Sequence, residues 1–170
     1  MNPDEGKRRL EELRQLTRGA LAEMRTLLIE LRPNSLVQIP LNELIRQLCE
    51  SLISRAKLPI NFSYQGEMAV PPDVKIAFYR VAQEALNNIV KHAKATHVNV
   101  SLDMRTGVSL AIADDGCGFD PSVVTAEHLG LRIMCERAEA IQASCEIDST
   151  PGKGTQISVC WDCPEVGLDE

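Results

Sequence analysis

Apolar residues recur along this chain with two different periods, and the switches between them divide it into elements. Leu10, Leu13, Leu16, Ala20, Met24, Leu27 and Leu31 follow one another at three- to four-residue steps. That spacing predicts one long helix over the first 31 residues, with a narrow apolar seam suited to another helix or another chain. Arg32-Pro33 ends it, because proline disfavours helical geometry in the residue before it. Leu41, Leu44, Ile45, Leu48, Leu52 and Ile53 mark a second amphipathic helix, preceded by Pro40 or capped by Asn42. Beyond Pro59 the period changes to two: Ile60, Phe62 and Tyr64 alternate with polar residues in a strand that ends at Gly66.

Pro71-Pro72-Asp73 opens a third helix, with proline in its first turn and an acidic residue favoured by the helix dipole. After Ala95 the alternation returns in Val98, Val100 and Leu102, then in Val108, Leu110 and Ile112 beyond Thr106-Gly107, which predicts a hairpin. A short segment containing Pro121 leads to a helix from about Leu129 to Ile141, and strands over 145–148 and 156–161 flank Pro151-Gly152-Lys153-Gly154. The result is an open sheet with helices on one face, a two-layer α/β sandwich of the α+β class. The domain expectation is a helix and linker over 1–36, one compact unit over 37–163 and a polar tail over 164–170.

The third helix carries the densest chemistry. At about 100° per residue, Glu84, Asn87, Asn88, Lys91 and His92 fall in one polar arc, opposite Ala82, Ala85, Leu86, Ile89, Val90 and Ala93. A carboxylate, an amide oxygen one turn on and a lysine beyond it are groups that can order a reacting acceptor, hold Mg²⁺ and meet a phosphate. A polar stripe on an amphipathic helix is also what any solvated face looks like.

Composition narrows the field. The chain has 170 residues, 44% hydrophobic and 25% charged, which suits a folded domain with an appendage. A net charge of −6 argues against a nucleic-acid surface and against adhesion to an acidic membrane. No apolar run reaches the roughly eighteen residues of a membrane helix. The six cysteines lie at irregular spacing, mostly within apolar runs, and read as free thiols of a cytoplasmic protein rather than a disulfide framework. Cys160 and Cys163 have CxxC spacing with no second pair or nearby histidine to complete a zinc site.

Three glycine-bearing segments follow the third helix in order: Asp114-Asp115-Gly116-Cys117-Gly118, Gly130-Leu131, and Gly152-Lys153-Gly154-Thr155. With Glu84 and Asn88 they resemble the N, G1, G2 and G3 boxes of the GHKL (Bergerat-fold) ATPase superfamily. Gln83 to Ala93 and Gly130 to Arg137 are further similar to the sensor histidine kinases that partner NarL-type response regulators. The resemblance spans roughly residues 14 to 160 and implies the GHKL fold, ATP and Mg²⁺ as ligands, and phosphoryl transfer.

Carried over residue by residue, the resemblance implies that Asp114 reads adenine, together with Thr155 and a water. As residues alone, Asp114 or Asp115 could equally cap the turn before Gly116. Gly116, Gly118, Gly152 and Gly154 would line the loops around the nucleotide, and Gly130 and Leu131 would open a helix whose amide end suits phosphate. His128 could donate to a phosphate oxygen, Asn88 would be the Mg²⁺ ligand, and Lys91 would offset phosphate charge. His92 would be structural or phosphate-adjacent. Glu84 matches the position of the general base.

The segment from Glu23 to Leu36 is similar to the second helix of the kinase dimerisation hairpin and its linker. No histidine here (His92, His97, His128) has the context of a phosphoacceptor. The expectation is therefore the ATP-binding catalytic part of a larger, homodimeric sensor kinase, lacking the acceptor helix and acting on a response regulator. The alternatives are a serine kinase of the anti-sigma-factor type on the same fold, or a non-catalytic, nucleotide-gated interaction module.

Overall fold

The computed structural model describes residues 38–121 and 129–162. The expected N-terminal helix, the tail from 164, His128 and Cys163 lie outside the described residues.

The first described helix, α1 (Leu41–Ala56), starts directly after Pro40, whose carbonyl accepts from the Glu43 and Leu44 amides, and no side chain caps it. Its buried stripe is Leu41, Leu44, Ile45, Leu48, Cys49 and Leu52. Ile53 was expected in that stripe but is 40% exposed, because one more residue rotates it past the stripe's edge. Strand β1 (Ile60–Gln65) follows, and then α2 (Pro72–Asn88), with Pro72 in its first turn and Asp73 at its positive end. α2 is buried on a wide face (Val74, Ala77, Phe78, Val81, Ala82, Ala85, Leu86) because it packs on the sheet and on a helix to either side.

The hairpin forms as the alternation predicts: β2 (Val98–Asp103) pairs antiparallel with β3 (Gly107–Asp114), Val98 opposite Asp114. Helix α3 (Leu129–Glu139) and strands β4 (Ser144–Ser149) and β5 (Thr155–Asp162) complete the fold. The sheet order is β1-β2-β3-β5-β4. β1 and β2 run parallel, since a whole helix connects them, and the other pairs are antiparallel. Val98, Val100, Leu102, Val108, Leu110, Ile112, Ile157, Val159 and Trp161 all point to one face and are buried under the helices. The opposite face is solvated, as strict alternation requires. Among the described residues no helix is long and apolar enough to cross a membrane.

Two expectations are corrected. α2 does not continue as a regular helix to Ala93: residues Ile89–Ala93 form a π-helical turn. Nor are all the cysteines free thiols. Cys135 in α3 and Cys145 in β4 form a disulfide, with Cα atoms 5.3 Å apart. The short return from α3 into β4 brings them together, a contact that a ten-residue separation does not announce. Cys49, Cys117 and Cys160 are free, and burial pushes the Cys49 thiol up to about 12.

Candidate functional site

The site begins where α2 ends. A helix leaves its last carbonyls without intrahelical donors, and here the Asp114–Gly118 loop supplies them. The Cys117 amide donates to the Ala93 carbonyl at 2.7 Å, and the Cys117 thiol donates to the His92 carbonyl at 3.4 Å. Gly116 lies so close to this helix end that a Cβ there would stand 2.3 Å from the Ala93 oxygen.

The two aspartates divide the work. Asp115 turns away from the cavity: its carboxylate accepts from the Thr96 amide (2.7 Å), the Thr96 hydroxyl (2.6 Å) and the His97 amide (2.9 Å). Those bonds, the Thr96 hydroxyl's first, hold its carboxyl down to about 2. Asp114, the last residue of β3, faces inward, and its Oδ1 accepts from the Gly116 amide at 2.8 Å. Its carboxylate also accepts from the Thr155 amide, yet burial outweighs both bonds and raises its pKa. Asp114 therefore both caps its turn and lines the cavity.

Asp114 and Thr155 are neighbours because β3 and β5 pair antiparallel in the register Asp114 opposite Thr155. The connection between β4 and β5 then locks onto the first loop. The Gly152 amide donates to the Cys117 carbonyl at 2.7 Å. Gly154 has φ +84°, and a Cβ there would be 1.9 Å from the Asp114 carbonyl oxygen, so no other residue fits. Ser149 ties the parts together: its hydroxyl accepts from the Phe119 amide (2.9 Å), donates to the Gly154 carbonyl (3.2 Å) and lies 2.9 Å from the Thr155 hydroxyl.

These pieces enclose a cavity of about 200 Å³. Ile89, Ile112, Ile157 and Phe119 give it apolar walls; Asn88, His92, Asp114 and Thr155 place polar atoms in them; Leu131 closes the α3 side. Of the residues expected at the site, the cavity brings together Asn88, His92, Asp114, Gly118, Leu131 and Thr155. Gly116 and Gly154 stand behind Asp114 and shape its loop. Glu84 is not in the lining. It lies against α3, where a Cβ on Gly130 would meet its Oε1 at 2.5 Å and the Asn88 Nδ2 at 3.3 Å.

Lys91 and Gly152 are away from the cavity. Lys91 is exposed and does not line it, because the π-turn, bonding i to i+5, changes the angular step just where a regular helix would have carried Lys91 round beside Asn88. The same turn leaves Val90 37% exposed. Gly152 is exposed, with no heavy atom within 4 Å of a Cβ built on it.

The apolar walls and Ser149 were missed in the sequence. A signal existed for Ile112 and Ile157, which are directly paired. They are the inward positions two residues before Asp114 and two after Thr155. Phe119 had none.

The model of the histidine kinase-, DNA gyrase B- and HSP90-like ATPases matches residues 73–165, more than half of the chain, and the chain belongs to this family of ATP-binding domains. Among curated proteins it is 34% identical over 157 residues to the sensor histidine kinase LiaS of Bacillus subtilis, covering 92% of this chain and 43% of that protein. It is 31% identical over 158 residues to the histidine-protein kinase/phosphatase DegS of Brevibacillus brevis, covering 92% and 41%. The chain thus spans less than half the length of these relatives. Among solved structures, the ATP-binding domain of PrrB from Mycobacterium tuberculosis superposes with a TM-score of 0.57 at 19% identity, covering 75% of this chain and 96% of that one. That likeness supports the five-stranded, two-layer GHKL fold.

Proposed function

We propose that this chain is the ATP-binding catalytic part of a sensor histidine kinase, which passes the γ-phosphoryl group of ATP to a histidine that the chain itself does not supply. The observation that carries the reading is the single cavity built from four separated stretches, with Asn88, Asp114, Leu131 and Thr155 in one lining. Its chemistry fits the ligand. A carboxylate set among isoleucines can accept from the exocyclic amine of adenine while the apolar walls take the ring faces. Asn88 offers an amide oxygen to Mg²⁺. Among the described residues no cluster of three histidine, cysteine or acidic side chains could hold a cation. The nucleotide phosphates would supply most of the other ligands of a Mg²⁺ held by Asn88.

The chain's own part in the reaction is positioning. Asp114, with Thr155 beside it, fixes the purine. The amide end of α3 would meet the phosphates, and Glu84, whose Oε1 lies against Gly130 of that turn, would accept a proton from an incoming nucleophile. Lys91 has no role in this arrangement. In the whole protein the phosphoacceptor histidine, the dimer seam and a response regulator complete the system, and the domain works in the cytoplasm. Calorimetric titration of the chain with ADP and Mg²⁺ tests the reading: saturable one-to-one binding is expected, and no heat with either ADP or ATP would refute it. With a histidine-bearing dimerisation helix supplied in trans, acid-labile, base-stable label should appear on that helix and not on this chain.

A further inference from the structure

The one covalent crosslink among the described residues lies outside the cavity yet on the helix that closes it. Cys135 is one helical turn beyond Leu131, so the two share a face of α3, and Leu131 lines the cavity. Cys145 is the second residue of β4. Their Cα separation of 5.3 Å falls in the range that disulfides require. Both are half-buried, unlike Cys49, which is buried. α3 is gripped from two sides: its first turn rests through Gly130 on Glu84 and Asn88 of α2, and its second is tied through Cys135 to β4. Met134 and Ala138 anchor the same helix in the core.

We propose that Cys135 and Cys145 are a reversible thiol–disulfide site, taking as its reactant a low-molecular-weight thiol–disulfide couple of the glutathione type, and that its state sets how firmly the first turn of α3 is held at the cavity. In oxidation one protein thiolate attacks the small disulfide, whose S–S bond breaks and releases one small thiol. The second protein thiolate attacks the mixed disulfide and releases the other. Two protein thiols lose two electrons and two protons, which end on two small-molecule thiols, and reduction is the reverse. Oxidation fixes the tilt of the turn bearing Gly130 and Leu131; reduction lets it move, and the ligand must then order it at a cost to affinity.

The second half of the proposal rests on the nucleotide reading of the cavity, and the test separates the two. The chain is equilibrated in buffers of graded reduced-to-oxidised glutathione ratio, free thiols are alkylated and counted, amide hydrogen exchange is followed over residues 129–139, and ADP with Mg²⁺ is titrated at each end of the series. The pair should titrate as one two-electron step. Reduction should speed exchange in the first turns of α3 and weaken ADP about fivefold or more, a coupling of ordinary allosteric size. The variants Cys135→Ser, Cys145→Ser and the double variant should behave as the reduced chain in every buffer, with unchanged circular dichroism.

No crosslink at any ratio, or a crosslink that moves neither exchange nor affinity, would overturn the proposal. So would redox sensitivity surviving in the double variant, which would assign it to the remaining cysteines, Cys117 in the cavity among them. If exchange responds but ADP binds in neither state, the thiol–disulfide site stands and the nucleotide reading falls.

Discussion

Replacing Asp114 by asparagine changes one charge and almost no volume, so it isolates what the carboxylate does for a ligand. In the free protein the Asp114 Oδ1 accepts from the Gly116 amide at 2.8 Å, a bond an asparagine carbonyl oxygen can take over, and burial outweighs that bond and the one from the Thr155 amide together. The fold loses little. Burial raises the Asp114 pKa, which means that the charged form is disfavoured in the native state; removing the charge relieves that cost above the native pKa and changes nothing below the unfolded value. The melting temperature at neutral pH should therefore stay put or rise slightly.

Toward adenine the effect runs the other way. A charged acceptor for the exocyclic amine is lost and an NH₂ group can face another NH₂ group. A hydrogen bond to a charged group is worth about 1.5–3 kcal/mol, so affinity should fall roughly ten- to hundredfold. ATP, ADP and AMP should suffer alike, because the contact lies on the base and not on the phosphates. Wild-type affinity should also decline as pH falls through the raised Asp114 pKa, where the acceptor becomes protonated, while the variant's affinity should be flat over that range. Calorimetric titrations of the three nucleotides across pH would show this. A loss confined to the triphosphate, or unchanged affinity for all three, would remove Asp114 from its assigned place.

Three further expectations follow from the same geometry. Asn88→Ala should abolish the Mg²⁺ dependence of ATP affinity while leaving the thermal melt within about 1 kcal/mol, since Asn88 is half-buried at the cavity wall; retained metal dependence in titrations with and without EDTA would contradict its role. Asp115 is held down to about 2, so its stabilising effect is fully present above the ordinary aspartate range near pH 4 and is lost as pH falls toward 2. Asp115→Ala should lower the melting temperature at pH 7, and the gap to wild type should close with acidification; a pH-independent gap would mean that its bonds to Thr96 and His97 do not matter. Gly130→Ala should gain up to about 1 kcal/mol of helix propensity, yet its Cβ would displace the Glu84 carboxylate. The variant should melt no lower than wild type and, in a longer protein carrying the acceptor helix, phosphorylate more slowly at saturating nucleotide. Normal phosphorylation would place Glu84 outside the reaction.

Across the described residues the elements and their order, apart from the π-turn at Ile89–Ala93, are legible in the sequence, because hydrophobic periods of 2 and 3.6 are local properties that survive in any arrangement of the pieces. Val98, Val100 and Leu102 announce an inward-facing strand wherever that strand ends up, and Leu41, Leu44, Ile45 and Leu48 announce the buried stripe of α1. Period says nothing of what Asp114, Thr155 and Asn88 do at the ends of those elements; their expected roles rest on the resemblance of the surrounding motifs to the GHKL boxes.

Which of them meet was decided only in three dimensions. The β3–β5 register sets Asp114 against Thr155. A helix end that must find donors for its carbonyls docks on the Cys117 loop, and the widened turn that reaches it leaves Lys91 outside the cavity. Cys135 and Cys145 lie on elements of different period, and only the return of α3 onto β4 makes them neighbours. Period fixes which way a side chain faces along its own element; contact between elements is fixed by packing and by the pairing of backbone groups that no single stretch can satisfy alone.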